Sequence, residues 1–189
     1  MSSIFHIKNM VCDRCIRTVE KIFLSYNALP ERVELGVVEV ANEVPIPILQ
    51  KIESDLNQEG FALLKDKPSI LVEQIKNLII DLVSTGKISQ LNKNLSAVIE
   101  EMIGKEYHYL SALFSETEGL TIARYLILQK IEKAKEYLSY QEKSLGTIAE
   151  NLGYSSVHHF SNQFKDVTGS SPSDFRDRSD HTRTQLDKV

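Results

Sequence analysis

Tryptophan is absent from this 189-residue chain, cysteine occurs twice, and proline and glycine number only five and eight. Two cysteines cannot build a disulfide framework, and a reduced Cys-x-x-Cys is their natural state in a reducing compartment. No run of the sequence approaches the roughly 18 apolar residues needed to span a bilayer. The opening MSSIFHIKNM also lacks the apolar stretch of a secretory leader, so the expected location is the cytoplasm and no membrane partner is expected. A dominant charge sign is missing as well. The formal net charge is −4, split evenly between residues 1–67 and 68–189, so neither half is polybasic and generic attraction to nucleic acid is weak. Catalytic constellations are missing too. There is no phosphate-binding loop, no nucleophile elbow and no carboxylate–histidine metal motif, so no enzyme and no required cofactor are expected. What remains is an ordinary globular composition, 42% hydrophobic, with room for one medium domain or two small ones.

A boundary is expected at LLKDKPS, Leu63 to Ser69, where charges and Pro68 interrupt two patterned regions. Before it, SIFHIK and RVELGVVEV are rich in β-formers, with Gly36 as a bend. Cys15, Val19, Ile22 and Phe23 recur at helical spacing between them, and Ile48, Ile52 and Leu56 do so before Gly60 and FALL. The order reads β-α-β-α-β with room for one further strand. Beyond Pro68 the pattern is helical: Leu71, Ile75, Leu78, Ile79 and Leu82 trace one apolar face, and more helices follow to Phe175.

The second half repeats itself. YHYLSALFSETEGLTIARY from Tyr107 aligns with VHHFSNQFKDVTGSSPSDF from Val157 at an offset of 50 residues without a gap. His108 meets His158, Ser111 meets Ser161, Phe114 meets Phe164, Gly119 meets Gly169 and Tyr125 meets Phe175. One apolar stripe anchors each helix (Leu110 and Phe114; Phe160 and Phe164). The opposite face carries Tyr107, His108 and Ser111 in the first copy, and Val157, His158, Ser161 and Asn162 in the second. A glycine ends each helix, where a left-handed residue is expected. A shorter helix and a tight turn precede each copy. In LGTIAENLGYSS, Ile148, Ala149 and Leu152 face inward and Gly153 makes the corner. A polar-faced second helix after a glycine turn is the helix-turn-helix arrangement, whose second helix enters a major groove.

SLGTIAENLGYSSVHHFSNQFKDVTGSSPSDFR resembles the C-terminal signature of AraC-family transcription regulators through Ile148, Ala149, Leu152, Gly153, Tyr154, Ser156, Phe160, Phe164, Lys165, Gly169, Pro172, Phe175 and Arg176. The likeness extends back through YLSALFSETEG and KIEKAKEYL, covering about Ser69 to Arg176. It implies two helix-turn-helix units joined by one helix and set on adjacent major-groove segments. Double-stranded DNA is then the partner, with RNA polymerase or another regulator as a candidate protein partner. On this reading Asn162 bonds an adenine edge, Val157 packs on a thymine methyl and His158 reaches a base. His159 points about 100° away from His158, and Lys165 and Arg176 grip phosphates. The first unit departs from the pattern. Glu100 stands near the family's small alanine at the helix crossing, and the reading helix from Glu106 to Phe114 holds no Arg or Lys. It either touches bases through Tyr107, His108 and Ser111, positions the second unit, or binds protein.

Near the N-terminus, NMVCDRC resembles the strand–helix junction of heavy-metal-associated domains of the copper-chaperone type, over about Ile4 to Leu64, with Asn9 in place of the usual glycine. That resemblance implies a ferredoxin-like β-α-β-β-α-β fold and a thiolate site at Cys12 and Cys15 for Cu(I) or Zn(II), with the helix N-terminus lowering the thiol pKa. A structural relic with free thiols and a redox pair are the alternatives. His6 is a candidate third ligand or simply a strand residue. The expected fold class is α+β: a small ferredoxin-like α/β domain over residues 1–66, then an all-α double helix-turn-helix domain over 67–178, and a flexible tail over 179–189. The expected function is sequence-specific transcription regulation with a sensory or interaction domain in front. The rival is a metal-handling or protein-interaction protein whose helical half reads DNA poorly.

Overall fold

Alternation of β-formers in the first forty residues is resolved by a four-stranded sheet. The computed structural model describes residues 3–140 and 143–177, so the tail expected over 179–189 lies outside the described residues. Strand β1 (Ser3–Lys8) is followed by helix α1 (Asp13–Ser25), strands β2 (Pro30–Glu34) and β3 (Val37–Val40), helix α2 (Ile46–Gln58) and strand β4 (Ala62–Leu64). All strand pairs are antiparallel, in the order β2-β3-β1-β4. The further strand left open in the sequence is therefore present: RVELGVVEV folds as a tight hairpin, with Gly36 at φ +77° in the turn. Inward residues follow the strand period of two. Ile7, Val38 and Val40 are buried with Val19 and Phe23 of α1 and Ile52 and Leu56 of α2. The rings of Phe5 and Phe23 lie 5.6 Å apart across this core.

Asn9, standing where a glycine was expected from the resemblance, has φ +71°. Asparagine is among the few side chains that enter this left-handed region readily. Its amide N–H donates to Glu73 Oε1 at 2.9 Å and its Nδ2 donates to the Gly60 carbonyl at 2.9 Å, so the side chain is used where glycine would leave a gap.

Helix α3 (Lys67–Ser84) begins inside the stretch Leu63–Ser69 where a boundary was expected. The proline sits in the first turn, where its missing N–H costs nothing. Asp66 supplies the start, its Oδ1 accepting from the Ser69 N–H at 2.8 Å. These bonds hold the exposed Asp66 carboxyl below its usual range. The chain divides into two compact units, Met1–Asn77 and Leu78–Val189, so the division falls inside α3 rather than ahead of it. Val72 and Ile75 of α3, in the first unit, and Ile79, Ile80, Leu82 and Val83, in the second, are buried.

After a short 3-10 turn at Lys87–Gln90 come six helices: α4 (Leu95–Ile103), α5 (Tyr107–Glu118), α6 (Ile122–Tyr140), α7 (Leu145–Asn151), α8 (Val157–Thr168) and α9 (Pro172–Asp177). The fifty-residue offset holds in three dimensions. Phe114 and Tyr125 rings are 5.5 Å apart, and their counterparts Phe164 and Phe175 are 5.6 Å apart. Gly119 and Gly169 end α5 and α8 at φ +71° and +78°. Thr121 and Ser171 then start α6 and α9 alike, each hydroxyl accepting an amide three residues on at 3.1 Å. Helix α9 thus occupies the place of the first turns of α6. Among the described residues no helix is long and apolar enough to cross a membrane.

Candidate nucleic-acid interface

The second reading helix is α8. Ser156 begins it, its Oγ accepting from the His159 N–H at 3.1 Å, and Phe160 and Phe164 are fully buried. That anchoring turns Val157, His158, Asn162 and Lys165 outward as exposed residues, with Ser161 half-buried beside them. His158 and Asn162 share a face as the spacing predicts: Asn162 Nδ2 lies 3.1 Å from His158 Nε2 and donates to it when that nitrogen carries no proton. The pair presents a donor–acceptor edge of the kind that reads bases. His159 turns to the other side, its ring edge-on to Tyr154 at 5.4 Å.

Arg176, the expected phosphate contact, also has a partner within the fold. It is half-buried, and its Nη2 donates to the Lys143 carbonyl at 3.1 Å, tying α9 to the segment before α7. It braces the unit from within.

The turn before α8 is built tightly. Gly153 has φ +67°, and a Cβ there would come within 3.2 Å of the Ile88 carbonyl. Tyr154, matched in the resemblance but given no role, closes the corner. Its hydroxyl donates to Gln163 Oε1 at 2.7 Å, its ring lies 5.4 Å from that of Phe160, and Lys130 Nζ of α6 sits 4.9 Å from the ring centre. Burial pushes the Tyr154 phenol up and the Lys130 ammonium down from their ordinary values.

The first unit uses the same frame with other chemistry. Leu110 and Phe114 anchor α5, leaving His108 exposed and Tyr107 and Ser111 half-buried. By the fifty-residue offset the alanine position at the crossing is filled by Ile99, fully buried, and not by Glu100, which is exposed. Glu100 instead caps the reading helix: its Oε1 accepts from the Tyr107 N–H at 2.6 Å. A carboxylate there also meets the positive end of the helix dipole. The counterpart of Tyr154 is Gly104, so nothing equivalent closes this corner. Met102 is 67% and Tyr109 49% exposed, an apolar pair beside the acidic Glu106.

At the other end of the chain, Cys12 is the exposed N-cap of α1, and Cys15 is half-buried one turn on; their Sγ atoms are 3.4 Å apart. The helix N-terminus was expected to lower the thiol pKa. For Cys15 burial prevails and pushes its thiol up, with backbone donors opposing. Met10 is fully buried in the core, so it is a packing residue. His6 is half-buried in β1, and burial lowers its pKa. Among the described residues no group of three or more His, Cys, Asp or Glu side chains could hold a metal. The donor set therefore does not fit tetrahedral zinc, which takes four ligands. Two thiol sulfurs are soft donors of the kind Cu(I) prefers, but at 3.4 Å they stand closer than linear two-coordinate binding requires.

Two helix pairs, each with a first helix anchored by a buried apolar residue (Ile99; Ile148 and Ala149) and a second helix with an outward polar face, define a helix-turn-helix DNA-binding module. Residues 100–178 match the family of helix-turn-helix domains, and the C-terminal half is a domain of the AraC type. The chain is 37% identical over 67 residues to the arabinose operon regulatory protein of Escherichia coli (strain K12), covering 35% of this chain and 23% of that protein. It is 30% identical over 131 residues to the uncharacterized HTH-type transcriptional regulator YisR of Bacillus subtilis (strain 168), covering 68% of this chain and 42% of that protein. Among solved structures, the C-terminal domain of AraT, a response regulator from Geobacillus stearothermophilus, superposes with a TM-score of 0.50 at 27% identity. That match covers 62% of this chain and 97% of that one. The chain thus spans less than half the length of the curated relatives. These three are regulators, not enzymes. They lend no support to the heavy-metal-associated resemblance of the first 66 residues.

Proposed function

We propose that the chain is a sequence-specific transcription regulator of the cytoplasm that reads DNA chiefly through α8. The observation that carries this reading is the outward His158–Asn162 pair on a helix locked at both ends by Ser156 and Gly169. Val157 and Lys165 flank that pair, one suited to a thymine methyl and the other to a phosphate. Helix α5 offers His108 and Ser111, but no cation, and contributes less base discrimination. Selection from a random DNA library tests the proposal: one recurrent motif is expected from the wild type, and its loss of preference at one position in Asn162→Ala. A library that returns no motif refutes it.

The antiparallel β-α-β-β-α-β unit supports the ferredoxin-like reading of the first domain, and the soft donors of the thiol pair support its use as a Cu(I)-responsive input. Both thiols lose a proton on binding. Bound metal changes regulation only if its affinity differs between DNA-competent and incompetent states. Operator titrations with apo and Cu(I)-loaded protein test this. Exposure of Met102 and Tyr109 favours a second role for the first helix-turn-helix unit, as a surface for polymerase or another regulator.

A further inference from the structure

Helix α1 carries a charge pattern that neither the thiol pair nor the reading helices use. Arg14, Arg17 and Lys21 are all exposed and line one open depression with Thr18, Ile22 and Glu59. Spacings of three and four residues put the three cations on one face. They span about 10 Å of helix at 1.5 Å per residue. Among the described residues none of the three belongs to an ion pair. The acidic residues of the same helix, Asp13 and Glu20, stand four residues before and three after Arg17 and border the stripe there, but among the described residues neither forms an ion pair with it.

We infer that this stripe is a second DNA contact, gripping phosphates of duplex that flanks the sequence read by the helical half. The inference rests on the proposed regulator function. Two observations select nucleic acid over an acidic protein. Protein interfaces need an apolar centre to supply energy, and the only apolar side chain in the depression is the half-buried Ile22; phosphate contacts need none. The reading helices are also poor in cations, with Lys165 on α8 and none on α5, so a further phosphate contact would add to a grip that these two helices leave thin. Tethering to a DNA-bound domain makes the second contact intramolecular and raises its effective concentration.

The test compares the full chain with Arg14→Gln/Arg17→Gln/Lys21→Gln on two duplexes, one limited to the selected motif and one extended by flanking sequence on both sides. On the long duplex, the wild type is expected to show a steeper fall of log affinity with log salt, by about two to three, since each neutralised phosphate contributes roughly 0.9. The variant is expected to lose about tenfold or more of its affinity at low salt. On the short duplex both differences should vanish, and motif preference should be equal in both proteins. Equal slopes on the long duplex overturn the inference. An equal loss on both duplexes overturns it too, because the effect would then be net charge or a disturbed fold. If neither protein prefers the motif, the regulator reading itself has failed, an outcome separate from either slope result. Unchanged DNA binding with lost retention of an acidic protein would assign the stripe to protein recognition instead and overturn the inference.

Discussion

Substituting alanine at two glycines of the same backbone class separates a conformational cost from a packing cost. Gly104 and Gly153 turn the corners of the two helix-turn-helix units at φ +71° and +67°. At Gly104 a Cβ would meet nothing within 4 Å, whereas at Gly153 it would stand 3.2 Å from the Ile88 carbonyl and 3.3 Å from Ser89 Cα. Holding alanine in the left-handed region costs roughly 1–2 kcal/mol. The stiffer unfolded chain returns roughly 0.4–1 kcal/mol at either site. Gly104→Ala should therefore cost about 1 kcal/mol. Gly153→Ala must also push backbone against backbone, and overpacking of that kind adds about 1–3 kcal/mol, for a total of about 2–4. For a unit of this size each kcal/mol lowers the melting temperature by roughly 4 °C. Differential scanning calorimetry of the full chain reads both, provided the transition of the second unit is resolved from that of the first. Equal costs at the two sites would show that the 3-10 turn yields freely, and the argument that it braces the second corner would be wrong.

Further outcomes are expected. Tyr154→Phe removes the donor to Gln163 and should destabilise the second unit by about 1 kcal/mol, seen in the same calorimetric transition, while Tyr109→Phe should change nothing. Lys165→Ala should weaken binding to all DNA sequences alike, whereas Asn162→Ala should lose about 1–3 kcal/mol at one base position only; competition binding with point-substituted operators distinguishes them. Because burial holds the Cys15 thiol protonated, limited iodoacetamide at neutral pH should label exposed Cys12 first, and Cys15 should catch up only as pH rises above the usual thiol range; peptide mass mapping reads the order. His6 has a lowered pKa, so the folded state resists its protonation. Its contribution is present above pH 6.5 and lost as pH falls through the lowered value, so the acid sensitivity of the first unit below pH 6.5 should ease in His6→Gln, followed by circular dichroism.

Legibility in the sequence followed the range of the forces involved. The repeat could be read because apolar stripes, glycine ends and caps are local: Phe160, Phe164, Gly169 and Ser156 each act within a turn or two of themselves. The outward placement of His158 and Asn162 followed from those anchors. Three features depended on partners distant in sequence. Arg176 was expected on DNA, and its guanidinium is also held by the Lys143 carbonyl. Glu100 was placed at the helix crossing although the fifty-residue offset sets it one position past Ile99, which hid its capping of α5; a carboxylate within reach of a helix start was the available signal. The Cys15 thiol was expected to be lowered by its helix end, and burial, invisible in spacing alone, outweighed that effect.

Helix α6 fixes more than the separation of the two reading helices. It is seated on aromatic contacts near its start and at its middle, with Tyr125 against Phe114 and Lys130 over Tyr154. Each residue of a helix adds a rise of 1.5 Å and a rotation of 100°. The length of α6 is therefore a phase setting: it decides which way α8 points when α5 is held. Side chains on its outer face can vary freely without disturbing that phase, but insertion or deletion of a single residue would turn one reading surface about a quarter of the way round the other. Such a chain would keep its fold on either side of the change and still be unable to lay both helices on one duplex, so its evolution is open to substitution in this helix and closed to changes in its length.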